Sequence, residues 1–159
     1  FSSFARMPEA EIKLDNLSKC LEEAYLLYFN TRKDIKLNLI KPENDIYFHF
    51  DTLQISRCFG NLIKNAVEAV EKIPNPAVEV LLATDDKNIK IEIKDNGVGI
   101  DKKMFSKIFE PYFTTKTKGT GLGLSIVKRI IEDHGGKIKI EKNKNMAGTR
   151  SLINFEYNA

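Results

Sequence analysis

"DTLQISRCFGNLIKNAVEAVEK" (51–72) decides the fold. Ile55, Phe59, Leu62, Ala66 and Val70, with Ile73 just beyond, recur at helical spacing and form one apolar stripe, as a helix lying on a core requires. Asp51 is a suitable N-cap, and "IPNP" (73–76) ends the helix. A second face carries Gln54, Asn61, Asn65 and Glu68. Asparagine is a poor helix former, so two of them one turn apart need a reason. Amide oxygens aimed into a site suit a hard cation such as Mg2+. Taken alone, a solvated polar face accounts for the row better.

Outward from this helix, alternation predicts strands on both sides. "DIKLNLI" (34–40) and "DIYFHF" (45–50) flank a turn at 42–44 and read as a hairpin or two adjacent strands. "AVEVLLAT" (77–84) and "NIKIEIKD" (88–95) alternate around a turn at 85–87. "KIKIEKN" and "TRSLINFEY" close the chain around a turn at 146–148. A helix capped by Asp15 is expected from 15 to about 30, with Leu17, Leu21, Ala24, Tyr25 and Tyr28 on its apolar side. Another is expected over 122–134, stopped by Gly135 and Gly136. Residues 96–120 read as a glycine-containing loop with a short helix at 102–108. The expected class is an α/β (α+β) two-layer sandwich. Three main helices lie on one face of a mixed, mostly antiparallel sheet of about five strands.

Composition excludes several alternatives. The 159 residues suffice for one domain with a real core. At 42% hydrophobic and 30% charged, the chain is of ordinary globular composition. A net charge of +3 with scattered lysines argues against a nucleic-acid partner. No apolar run approaches a membrane span, and no signal-peptide pattern is present. Phe1 is an unusual start, so a longer parent protein is expected. The two cysteines, Cys20 and Cys58, sit in predicted helices and read as buried thiols of a reducing compartment.

Two further stretches carry chemistry. In "KDNGVGI" (94–100), Asp95 ends a strand, and Gly97 and Gly99 let backbone approach a ligand. A carboxylate there can accept bonds from the exocyclic amine of a purine; a plain strand-to-loop turn is an equal alternative. In "TTKTKGTGLGLSIVKRIIEDHGG" (114–136), Gly119, Gly121 and Gly123 lead into a helix, with Lys116 and Lys118 beside them. The spacing is neither a P-loop nor a dinucleotide fingerprint. Free amides at a helix N-terminus still suit phosphate oxygens. A lone glycine-rich loop before a helix has no such need of a ligand.

Together the stretches are far more specific. "NLIKNAVEA", "DNGVGI", "FEPYFTTK" and "GTGLGLSI" resemble, in order and spacing, the N box, first glycine box, F box and second glycine box of sensor histidine kinases. These have the Bergerat ATP-binding fold of the superfamily shared with gyrase and heat-shock chaperones. The resemblance runs from about Asp15 to Tyr157. "FSSFARMPEAE" resembles the exit of the dimerisation helix in nitrogen-regulation sensor kinases. Residues 1–14 are therefore expected to be a connector, and 15–159 the ATP-binding catalytic domain, with the ATP lid at about 101–120.

The resemblance implies roles residue by residue. Asn65 would hold Mg2+ bridging the ATP phosphates, with Asn61 lining the same pocket and Lys64 a candidate phosphate contact. Asp95 would read the adenine amine, Gly97 and Gly99 would lie along the ring, and Thr149 of "AGTR" would help to hold the base. Phe109, Tyr112 and Phe113 would anchor the lid or meet partner helices. Thr115, Lys116, Gly119 and Thr120 would face the nucleotide, as would Gly121, Leu122 and Gly123. Glu68 stands where many relatives place a basic residue, so it is a candidate metal contact through water only. Related ATPases carry a glutamate general base at the Asn61 position; an amide cannot take a proton, so weak hydrolysis is expected.

Transfer to an external imidazole is the implied chemistry. The two histidines, His49 and His134, lack the setting of a phosphoacceptor helix and read as structural. The acceptor is thus expected on a separate dimerisation domain. A response-regulator receiver domain would take the phosphate onward. The implied setting is cytoplasmic, in a homodimeric and membrane-anchored sensor whose ATP-binding part alone is a monomer. The alternative is a non-catalytic nucleotide-binding switch, or an anti-sigma-factor-like serine kinase of the same fold.

Overall fold

The apolar stripe of 51–72 lies on a sheet. The computed structural model describes residues 8–113, 123–144 and 146–157. Among them the order is β1 (Lys13–Asn16), α1 (Leu17–Phe29), β2 (Lys36–Ile40), β3 (Tyr47–Phe50), α2 (Thr52–Ala69), β4 (Ala77–Thr84), β5 (Asn88–Asp95), α3 (Gly123–Asp133), β6 (Lys137–Lys142) and β7 (Thr149–Glu156). A single 3-10 turn, Lys102–Met104, stands where a longer helix was expected.

The main sheet has the order β2-β4-β5-β7-β6; β1 and β3 form a small sheet of their own. Only β2–β4 is parallel; β4–β5, β5–β7 and β6–β7 are antiparallel. This is the mixed, mostly antiparallel sheet of five strands that the sequence predicts, with three helices on one face. Val78, Val80 and Leu82 of β4, Ile89, Ile91 and Ile93 of β5, and Ile153 and Phe155 of β7 share one core with Ile55, Phe59 and Ile63 of α2 and Ile130 and Ile131 of α3. Truncating Phe59, fully buried, to alanine costs about 3–5 kcal/mol in such a setting. The other sheet face is solvated and laced by ion pairs, Lys94 with Glu79 (3.5 Å) and Arg150 with Glu92 and Glu141 (3.3 Å each).

The first half departs from expectation. β2 and β3 are not paired: β2 runs parallel to β4, and β3 pairs with β1, Leu14 opposite His49. Alternation fixes which face a strand buries, not which neighbour it takes. Asp15 does not cap α1. Its carboxylate is occupied by the Asn16 amide (2.7 Å) and the Thr52 hydroxyl (2.6 Å). Asn16 caps instead, accepting from the Lys19 amide at 2.9 Å. Residues 8–14, expected as part of a connector, pack on the fold. Gln54 Nε2 donates to the Pro8 carbonyl (3.1 Å), the Glu11 amide donates to Asp51 Oδ2 (2.7 Å), and Lys13 and Leu14 belong to β1. Gln54 is accordingly buried, away from the open polar face on which the sequence placed it.

Asp51 caps α2 as expected, accepting from the Gln54 amide at 3.0 Å. Its own amide donates to His134 Nε2 (3.0 Å), so Nδ1 of that ring carries the proton and meets the Ile130 carbonyl at 2.7 Å. Cys20 and Cys58 are buried free thiols. Burial pushes each up to about 12, so neither is a nucleophile at neutral pH.

Candidate functional site

The site is built around α2. Asn61 and Asn65 are half-buried one turn apart, and Asn65 Nδ2 donates to Asn61 Oδ1 at 3.2 Å. That bond ties the two amides to each other. Lys64 is exposed and Glu68 half-buried on the next turn.

Two glycines pack on this helix. At its C-terminal end, Gly97 is buried against Ala69, so closely that a Cβ would strike the Ala69 carbonyl. The Val98 amide reaches the same carbonyl at 3.4 Å. One turn earlier in the helix than Asn65, Gly123 opens α3 against Asn61. Gly97 and Gly123 thus bracket the asparagine pair.

Asp95 ends β5, 6% exposed. Its Oδ1 accepts from the Gly97 amide (2.9 Å) and the Thr149 amide (3.3 Å), which leaves Oδ2 as an acceptor for a ligand. Burial pushes its carboxyl above the usual range, and the two amides pull it part of the way back. Gly99 follows with φ +77, a left-handed turn that suits glycine.

The structure brings Asp95, Gly97 and Thr149 together, along with two neighbours the sequence did not single out. Gly148 (φ +107) passes so near Asp95 that a Cβ would collide with its carbonyl. Asn143, buried at 4% exposure, donates to the same carbonyl at 2.6 Å. The glycine before Thr149 was a visible signal. An asparagine in a lysine-rich turn carried none.

Phe109 is half-buried, with Lys128 of α3 over its ring at 5.4 Å. Tyr112 is exposed and has φ 68, a conformation rare outside glycine. Thr115, Lys116, Gly119, Thr120, Gly121 and Leu122 lie outside the described residues. The described hollows lie elsewhere, one of about 230 Å3 beside Glu22 and Lys41 and one of about 450 Å3 on the solvated sheet face.

The donor set suits a metal that arrives with its own ligands. Among the described residues no group of three or more His, Cys, Asp or Glu could hold an ion. Amide oxygens on α2 with Glu68 nearby fit Mg2+, which keeps several waters and takes most of its other ligands from phosphates.

Comparison with known proteins converges on one family. Residues 50–158 match the model of the histidine kinase-, DNA gyrase B-, and HSP90-like ATPase domain. Nitrogen regulation protein NtrY of Azorhizobium caulinodans is 34% identical over 145 residues, covering 88% of this chain and 19% of that protein. Sporulation kinase A of Bacillus subtilis is 39% identical over 143 residues, 88% of this chain and 23% of its own length. The nucleotide-free catalytic domain of histidine kinase ThkA superposes with a TM-score of 0.82 at 32% identity, over 92% of this chain and 96% of that one. ThkA in complex with response regulator protein TrrA gives 0.78 at 27% identity, over 93% of this chain and 42% of that one. The chain spans about a fifth to a quarter of the length of the first curated relatives it matches.

Proposed function

The chain belongs to the histidine kinase-, DNA gyrase B- and HSP90-like ATPase family, and from that premise we propose that it binds Mg-ATP and passes the γ-phosphate to a histidine on a separate helical domain. Asp95 carries the reading. It is a buried carboxylate with one oxygen held by two amides and the other available, the arrangement that accepts an adenine amine while rejecting a base with a carbonyl there.

In this reading Gly97 and Gly99 lie along the base and Thr149 steadies it. Asn65, with Asn61 beside it, would hold Mg2+, with Glu68 near enough to act through water. The metal, when bound, spreads charge from the phosphate oxygens. The N-terminus of α3 offers backbone amides and a positive dipole end to the phosphates, with Lys64 and Lys116 as charged contacts. The incoming imidazole nitrogen forms a bond to the γ-phosphorus in line as the bond to the bridging oxygen breaks, and ADP leaves.

Asn61 offers no general base for water, which favours transfer over hydrolysis. ThkA's complex with a response regulator supports a receiver domain as the onward acceptor. Among the described residues no helix is long and apolar enough to cross a membrane. We place this part in the cytoplasm, carried by a longer homodimeric sensor.

The test incubates the chain with labelled ATP and an isolated histidine-bearing helix pair from a related kinase. Acid-labile label on the helix pair supports the reading. Acid-stable label, or tight binding without transfer, overturns it in favour of a serine kinase or a binding switch.

A further inference from the structure

Asn143 follows β6 directly, in a turn where polar side chains ordinarily meet water, yet it is 4% exposed. Its Nδ2 donates to the Asp95 carbonyl at 2.6 Å and to the Ala147 carbonyl at 3.3 Å. Its own amide donates to the Gly148 carbonyl at 3.2 Å. The position explains the need. Pairing between β5 and β7 ends at Lys94 opposite Arg150, so on that side the Asp95 carbonyl lies past the last rung. The Asn143 side chain supplies the missing donor, and a buried carbonyl left without one is costly. Thr149, across the same hairpin, holds the carboxylate through its amide.

The geometry points to Asn143 as a positioning residue for base recognition: it pins the Asp95 main chain so that Oδ2 stays aimed at the exocyclic amine of a purine. This rests on Asp95 reading that amine. Asn143 touches no nucleotide itself. It acts by clamping Asp95 from behind while Thr149 orients it from the side. Gly148 allows the clamp to close, because a Cβ there would wedge the hairpin off the Asp95 carbonyl.

The test compares the affinity of the chain for ATP and for purine riboside triphosphate, which lacks only the amine, by calorimetry. The wild-type chain should prefer ATP. Asn143→Ala should lower ATP affinity roughly tenfold, the loss of about one well-placed hydrogen bond, and leave the analogue within about twofold. Asn143→Asp keeps the shape but sets an acceptor against the carbonyl, so it should lose the preference as fully as alanine does. Asn143→Ser, whose hydroxyl falls short of the carbonyl, gives the same comparison should the alanine variant not fold. An ATP preference kept in these variants, with only the melting temperature lowered, overturns the positioning role. Equal wild-type affinity for the two nucleotides overturns the reading of Asp95 and this proposal with it. Loss of preference in Asp95→Asn alone would leave the reading standing and the role of Asn143 refuted.

Discussion

Gly123, the first residue of α3, rests on Asn61: a Cβ built on the glycine would stand 2.7 Å from the Asn61 amide nitrogen and 3.2 Å from its oxygen. The neighbour is the far end of a flexible side chain, so Gly123→Ala should be tolerated by the fold. Alanine also favours the helix over glycine. The displaced amide, however, is the one that accepts from Asn65 at 3.2 Å. Melting temperature should hold or rise, and Mg-ATP affinity should fall roughly fivefold, about 1 kcal/mol. Titration calorimetry with wild-type affinity would remove Asn61 and Asn65 from the site.

Gly97 presents the opposite case. Its missing Cβ would strike main chain, the Ala69 carbonyl at the end of α2, and main chain in a helix cannot step aside. Gly97→Ala should cost about 1–3 kcal/mol of stability, as overpacking does. Nucleotide binding should suffer as well, since the loop after Asp95 is levered off the helix. Urea unfolding reads the first effect. Wild-type stability would show that the loop does not pack as described.

Asn65 is half-buried and contributes no part of the apolar core. Asn65→Ala gives up its bond to Asn61 but opens no cavity in the core, so it should lower stability by only about 0.5–1.5 kcal/mol. The Mg2+ dependence of ATP affinity should collapse. Thermal shift with ATP, with and without Mg2+, separates the effects. A variant that still gains its full shift from the metal would place the ion elsewhere.

Much of this was legible in the sequence because it is local. The stripe of α2, the alternation of β4 to β7 and the Asp51 cap each lie within one stretch and need no partner to be read. Asp95 and the asparagine pair did not stand out singly, since a plain turn and a solvated helix face account for them as well; the order and spacing of four stretches made them candidates. Strand pairing in the first half was not. β2 takes its parallel neighbour across the whole of α2, and β1 lies in what reads as a connector. Nothing in an alternating pattern names a partner at that distance. Asn143 was invisible for a related reason, since its task is defined by the ladder that stops at Lys94 on the neighbouring strand.

The histidines give a further check. His134 uses both ring nitrogens, one toward the Ile130 carbonyl and one toward the Asp51 amide, and His49 is exposed on β3 opposite Leu14. His134 thus has no free ring nitrogen, and His49 lies on the small β1–β3 sheet, not on a helix. The chain alone should take up no acid-labile phosphate from ATP. His134→Phe should unfold about 1–3 kcal/mol more easily, because the Asp51 amide loses its acceptor. Self-labelling abolished by that variant would make His134 an acceptor after all.

Asp95 sets binding against stability. Burial raises its carboxyl, and the Gly97 and Thr149 amides offset only part of that. A raised value means the folded chain holds this proton more tightly than the unfolded one. The group thus favours folding fully only below the ordinary value of 3.8, and that contribution is lost as pH rises through the folded value. At neutral pH the ionised carboxylate is a net cost in the nucleotide-free domain. Asp95→Asn keeps an oxygen for the two amides and removes the buried charge. It should melt higher than wild type at pH 7, with the gap closing as pH falls toward 4. With that oxygen held by the two amides, the variant turns its amide nitrogen toward the adenine amine, a donor against a donor, so ATP binding should be lost. In the wild-type chain, ATP affinity should fall on acidification through the raised value, because a protonated carboxyl sets a donor against a donor. Paired melting and binding curves over pH test both. A variant less stable at pH 7 that still bound ATP would mean that Asp95 serves the strand end and not the nucleotide.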